Sequence, residues 1–265
     1  MKSVKKIVYP FIRLILPLIM IVVISIWLSS IFMITDYNGS WFNLKLSKIS
    51  FNSNRTFIIL LLIIIQLFII RKVNKEKEFV PTDIYGNYPI IIYNIAYFIL
   101  GYKKVNLKMK PIPLQFKLLY ENKFDCIVNT EYSANNYKYK VNHIGKLNNK
   151  ISQINIIISD TYQIKENQLP KSKINNYTIK IDRMGQYGVR THSQELINLL
   201  IKEVQEIKKY CREYNLFLST PSSINKAIYN EVFQTGQRDG FKLNIYQQDN
   251  KNNFKFKEKP ITIKC

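Results

Sequence analysis

Leu216-Phe-Leu-Ser-Thr-Pro-Ser-Ser-Ile-Asn-Lys-Ala-Ile-Tyr229 contains the change of period on which the fold turns. Leu216 to Ser219 reads as a strand that stops at Thr220-Pro221, where a hydroxyl suits an N-cap and proline suits the first helical position. Beyond it Ile224, Ala227, Ile228 and Val232 recur at helical spacing. A helix to about Gln234 follows, with Gly236 as its stop.

The segments around this junction alternate in the same way. Ile151 to Ile158 is a β-branched run ending in Ser159-Asp160-Thr161, suited to a strand buried on both faces. Tyr177 to Ile181 predicts another strand. Ser193 to Tyr214 carries Leu196, Ile197, Leu200, Val204, Ile207, Cys211 and Tyr214 as a helical stripe, with Thr191 and Gln194 placed for a capping box. Strands over Phe241–Tyr246 and Phe254–Phe256 close the chain. Strand, helix, strand, helix, strand predicts the α/β class with a mostly parallel, helix-covered sheet.

Residues 105–141 look different. Asn106-Leu-Lys-Met-Lys110, Phe116-Lys-Leu-Leu-Tyr120 and Tyr137-Lys-Tyr-Lys-Val141 alternate, predicting a β-rich segment ahead of the parallel sheet. Before it, the aromatic-rich stretch Tyr88–Tyr102 is short for a membrane crossing. It reads as a helix packed under the soluble domain or lying at the membrane interface, with a re-entrant or spanning segment as the alternative.

The N-terminal part is apolar on every face. Leu14 to Ile34 is 21 residues without a charge, the length of a transmembrane helix, and Thr56 to Ile70 is a second uncharged run of 15. Its flanking Arg55 and Arg71 must snorkel to complete a crossing. A cleaved signal peptide fits the first run less well, because the run exceeds an h-region and no small-x-small site follows. The chain thus divides into a two-helix membrane module, 1–78, with spans at about 12–34 and 54–71, a connecting and β-rich part, 79–150, and an α/β part, 151–265.

Lys2, Lys5 and Lys6 precede the first span and Arg71, Lys72, Lys75 and Lys77 follow the second, against Lys45, Lys48 and Arg55 in the connecting loop. This bias predicts a bacterial inner-membrane protein with both termini cytoplasmic and only the loop, with Trp41 and Phe42, exported. Cys126, Cys211 and Cys265 then lie in a reducing compartment, where an odd number of thiols suits no disulfide framework.

The net charge is +21, from 39 basic and 18 acidic side chains. Residues 1–71 hold 8 basic and 1 acidic, or +7, which leaves +14 after them. Such a surface wants an anionic partner, either lipid headgroups or a phosphate-bearing ligand. No G-x-S-x-G, H-E-x-x-H or zinc-deaminase pattern occurs, and the only imidazoles are His143 and His192. No catalytic or metal-binding residue is assigned, no cofactor is expected, and the chain is read as a non-enzyme.

In parallel sheets ligands gather beyond the carboxyl ends of the strands. That rule selects Ser159, Asp160 and Thr161 after one strand and Ser219-Thr220-Pro221-Ser222-Ser223 after another, with Thr220, Ser222 and Ser223 at a helix start that favours anions. Arg183, Arg190 and Lys226 join them on charge, since Arg can clamp phosphate bidentately. Helix capping by Thr220 and Ser222, and an ordinary surface loop over 182–192, account for the same residues without a ligand.

Strand Leu216–Ser219, the Thr220-Pro221-Ser222 turn, the helix to Gly236, Phe241-Lys-Leu-Asn-Ile-Tyr246 and Asn253-Phe-Lys-Phe256 together resemble the end of SAVED domains, and Ile156-Ile-Ile-Ser159 resembles their strand leading into a ligand loop. The resemblance covers about residues 151–258; residues 80–150 show no clear first CARF-like unit. It implies a transmembrane SAVED effector of CBASS antiphage defence, with a CARF-like cytoplasmic domain for a cyclic di- or trinucleotide made by a CD-NTase. It also implies a homo-oligomer on activation, disruption of the lipid bilayer with abortive infection, and no DNA or RNA duplex as partner. Two readings stay open beside it: a membrane-anchored basic interaction protein, and a CARF-type CRISPR-associated receptor for cyclic oligoadenylate, with or without cleavage of its ligand.

Overall fold

A computed structural model describes residues 11–36, 51–80, 85–128, 137–147, 151–234, 240–249 and 252–264. It divides the chain into two compact units, Met1–Val105 and Asn106–Cys265.

In the first unit a π-helical turn, Phe11–Ile15, leads into helix α1, Leu16–Asp36, and helix α2 spans Phe51–Asn74. At about 1.5 Å per residue, 21 and 24 residues reach about 32 and 36 Å, enough for a hydrocarbon core. Among the described residues one segment, Phe57–Asn74, passes as a membrane span by length and composition, and Ile12–Leu28 is an apolar but shorter one. The turn of helix ahead of Thr56 supplies length that the uncharged run alone lacks.

Helix α3, Ile90–Phe98, lies within Tyr88–Tyr102, where a helix was expected, and buries Tyr93 and Ala96. Its end is fastened to α2. The Arg71 guanidinium donates to the Phe98 carbonyl, and Asn74 Nδ2 donates to the Leu100 carbonyl at 3.0 Å. Gly101 lies against them at φ +76, and a Cβ there would stand 2.6 Å from Arg71 Cα, so only glycine fits. Phe79 packs at 5.6 Å from Tyr93 and 5.3 Å from Tyr102, ring centre to ring centre.

The second unit is built on six strands: β1 Tyr139–Ile144, β2 Ile154–Ser159, β3 Thr178–Arg183, β4 Glu213–Ser219, β5 Lys242–Ile245 and β6 Ile261–Lys264. Their order is β6-β5-β4-β2-β3-β1. The inner pairs β5·β4, β4·β2 and β2·β3 are parallel, and β6 and β1 add antiparallel edges. The mostly parallel α/β sheet is therefore present. Every residue of β2 and all of β4 except Glu213 are buried, as expected of strands covered on both faces.

One row of this sheet is polar. Asn155 Nδ2 donates to Thr178 Oγ1 at 3.1 Å, Asn215 Nδ2 to Asn155 Oδ1 at 3.0 Å, Asn244 Nδ2 to Asn215 Oδ1 at 3.1 Å, and Thr262 Oγ1 to Asn244 Oδ1 at 2.8 Å. These are the direct partners in register from β3 through β2, β4 and β5 to β6. Because each amide both gives and receives, the buried row is satisfied internally.

Three local expectations are corrected. Phe116–Tyr120 lies not in a strand but in helix α4, Ile112–Glu121: Pro111 and Pro113 open it, and Asn122, left-handed at φ 47, closes it. The doublet Leu118-Leu119, both buried, fits one helix face and would split across a strand. The segment before the sheet is thus less β-rich than expected. Helix α5, Gln194–Ile207, is capped by Ser193, whose hydroxyl accepts from the Leu196 amide, and not by a Thr191–Gln194 box. Thr191 instead turns inward to accept from Arg183.

At the C-terminal end, Lys255–Phe256 pairs with Gln248–Asp249 apart from the main sheet, and the sixth strand is Ile261–Lys264. Helix α6, Ser222–Ala227, continues as a π-helix through Ile228–Gln234. The expected stop at Gly236 lies outside the described residues.

Candidate functional site

The chain leaves β2 toward β3 on one side and returns through α5 to β4 on the other. The carboxyl ends of β2 and β4 therefore flank a switch point in the topology, the usual position of a ligand crevice. Their loops are tied together. The amides of Asp160 and Thr161 donate to the Ser219 carbonyl at 3.2 and 2.7 Å, and Thr161 Oγ1 reaches the same carbonyl at 2.9 Å. Ser219 Oγ accepts from the Tyr162 amide at 3.0 Å, and Ser159 Oγ from the Ile164 amide at 3.1 Å.

Beneath this knot Asp160 and Arg183 form an ion pair with no exposed side-chain surface. Asp160 Oδ1 accepts from Arg183 Nη2 at 2.6 Å, from Nε at 3.0 Å and from Tyr139 Oη at 2.8 Å. Arg183 also donates to the Val189 carbonyl at 2.8 Å and to Thr191 Oγ1 at 3.2 Å, and its guanidinium lies 4.2 Å from the Tyr137 ring centre. Burial raises the Asp160 carboxyl above its ordinary value, while Arg183 and Tyr139 hold it down. Burial likewise pushes the Tyr139 phenol up to about 12.

The Arg183–Val189 bond, and a 2.8 Å bond from the Gly188 amide to the Thr161 carbonyl, pin the glycine loop to the end of β2. The exposed Arg190 lies on that loop. Beside it Tyr162, 38 % exposed, gives its hydroxyl to Gln248.

The family model of the SMODS- and Ubiquitin system-associated 2TM effector domain, SUa-2TM, matches residues 1–263. The chain belongs to this family. The expected two-transmembrane effector is borne out at that level. Three solved structures of the Acinetobacter baumannii Cap4 SAVED/CARF-domain containing receptor are also similar. Those with 3'3'3'-cAAA and with 2'3'3'-cAAA each share 8% identity, cover 64% of this chain and 41% of the receptor, and have a TM-score of 0.42. The structure described without a nucleotide shares 8%, covers 66% and 40%, and has a TM-score of 0.37. The chain thus spans about two-fifths of those receptors' length. No curated protein matches it.

In the SUa-2TM chain the residues expected to bind a ligand fall into three groups. Ser159, Asp160, Thr161 and Thr220 come together at the ends of β2 and β4, and Arg190 lies on the loop bonded to Thr161. Arg183 is engaged inside the fold, so its charge is not presented as a phosphate clamp. Lys226 faces elsewhere: its Nζ donates to the Cys126 carbonyl at 2.6 Å, in a cleft of about 220 Å³ with Asp125, Asn122 and Asn230.

Thr220 and Ser222 do not cap α6. Thr220 Oγ1 donates to Asn225 Oδ1 at 2.5 Å, Ser222 Oγ donates to the Leu107 carbonyl at 3.3 Å, and Ser223 Oγ is buried without a partner among the described residues. Ser219, which the strand-end rule selected, joins the site, and so do Tyr162 and Tyr139, which were not anticipated. Tyr162 had a signal, since it follows the selected Asp160-Thr161; the inward role of Tyr139 depends on a strand pairing that spacing does not reveal.

Cys126 and Cys211 are free, buried thiols. Burial pushes Cys126 up to about 12, far from the thiolate that nucleophilic chemistry requires.

Proposed function

We propose that this SUa-2TM chain is a membrane effector of antiphage signalling whose C-terminal unit receives a cyclic di- or trinucleotide made by a CD-NTase. The occupied receptor self-associates, and its helices breach the inner membrane to abort the infection. The observation that carries the reading is the switch point itself: two strand ends knotted at Ser219, with an exposed arginine on the adjoining loop. The amides and hydroxyls of the knot are spent on one another and fix the loops, while Arg190 beside them suits a bidentate phosphate contact. Asp160 and Arg183 hold the loops in place and leave recognition to their surroundings. The role is binding without turnover.

Calorimetry of the full chain in lipid nanodiscs against a panel of cyclic di- and trinucleotides tests this. A saturable titration is expected with one of them, and Arg190→Glu, at an exposed position, should weaken it at least about tenfold, or 1.4 kcal/mol, without loss of folding. Flat titrations across the panel, with salt-sensitive binding to anionic vesicles, would instead support a membrane-anchored basic protein.

A further inference from the structure

Helix α2 carries one strongly polar side chain between Phe57 and Ile70, the carboxamide of Gln66. Its Nε2 donates to Ser25 Oγ on α1 at 3.1 Å. Ser25 is fully buried, but Gln66 is only half-buried, in the stripe of Ile59, Leu62, Ile63 and Ile70. Two helices are too few to enclose it.

A carboxamide has two N–H donors and a carbonyl with two lone pairs. Ser25 takes one N–H, and among the described residues neither the second N–H nor the carbonyl has a partner. In hydrocarbon no water supplies one, so the amide is strongly driven to find another polar group. Among the described residues of the helix's outer face, Phe57, Leu60, Ile64 and Phe68 present only apolar surface.

We infer that Gln66 is the seam of self-association, pairing in the membrane with the same residue of a second copy. Copies insert with the same sense, so a closed assembly has its axis along the membrane normal and brings equal residues to equal depth. Each carboxamide then faces its counterpart, one N–H donating to the other's carbonyl while the first stays on Ser25. The inference rests on the membrane placement proposed above and is independent of which nucleotide is bound.

The test is energy transfer between donor- and acceptor-labelled full-length chains in phospholipid vesicles, titrated by lipid dilution. Gln66→Leu, which favours insertion, should weaken self-association about 3- to 30-fold. Ser25→Ala frees the first N–H as well and should leave association at or above the wild-type level. Nucleotide calorimetry on the same variants should be unchanged, which separates failure of this seam from failure of the receptor reading. Wild-type association in Gln66→Leu, or an equal loss in Ser25→Ala, which would make the bond an internal clasp alone, overturns the inference.

Discussion

At the scale of single residues, the pair Asp160–Arg183 shows how charge read from a sequence differs from charge presented to a ligand. Arginine in a glycine-containing loop is a natural phosphate clamp on paper, but the strand register carries Arg183 inward, beside Asp160 at the end of β2. Desolvating two ions costs several kcal/mol each, and what offsets it here is geometry: two guanidinium bonds, one from Tyr139, and two more from Arg183 to the glycine loop. Removing one partner strands the other. Arg183→Met should therefore cost about 3–5 kcal/mol, whereas Arg183→Met with Asp160→Leu should recover most of that loss. Thermal unfolding of the single and double variants, followed by far-ultraviolet circular dichroism, measures the coupling; equal losses in both would show that the pair contributes little as a pair.

At the scale of elements, the amide row explains why a helix-covered sheet tolerates Asn155, Asn215 and Asn244 at its centre. A polar strand residue ordinarily signals an exposed face, and only the coincidence of three parallel registers makes each amide the next one's partner. Asn215 stands in the middle, so Asn215→Leu leaves a carbonyl on Asn155 and an N–H on Asn244 without it. At about 1–3 kcal/mol for each group abandoned, a loss of about 2–4 kcal/mol is expected, moderated by Asn176 and Glu213, which reach the same groups. The urea midpoint gives the answer, and an unchanged midpoint would mean that the row is ornamental.

The same elements mark what the sequence disclosed. The β-branched run of β2, the stripe of α5 and the stop at Pro221 were legible because local spacing determines them. Helix α4 was not, because alternation over four residues mimics a strand until Pro111, Pro113 and the buried leucine doublet are weighed together. Strand β6 was missed because a four-residue edge owes its existence to its neighbour β5. The candidate site divides likewise: the loops after β2 and β4 were found by topology, while the inward turn of Arg183 and the separate cleft of Lys226 depend on packing across the sheet.

At the scale of the whole molecule, function requires that a chain of net charge +21 take one orientation in the bilayer. Lys and Arg resist translocation, so the side with more of them near the spans stays in the cytoplasm. Seven such residues, Lys2, Lys5, Lys6, Arg71, Lys72, Lys75 and Lys77, lie outside the pair of uncharged runs, and Lys45, Lys48 and Arg55 lie between the runs. The tail after α2 carries most of the remaining excess, and the proposed topology puts it on the side of Arg71. Green fluorescent protein fused after Cys265 should therefore fluoresce, and alkaline phosphatase inserted in the loop between the helices should be active. Moving charge tests the cause. Lys2, Lys5, Lys6, Lys72 and Lys75 changed together to Gln, with two arginines added near Lys45, should invert or mix the signals, and an orientation that survives this change would show that something other than flanking charge determines it.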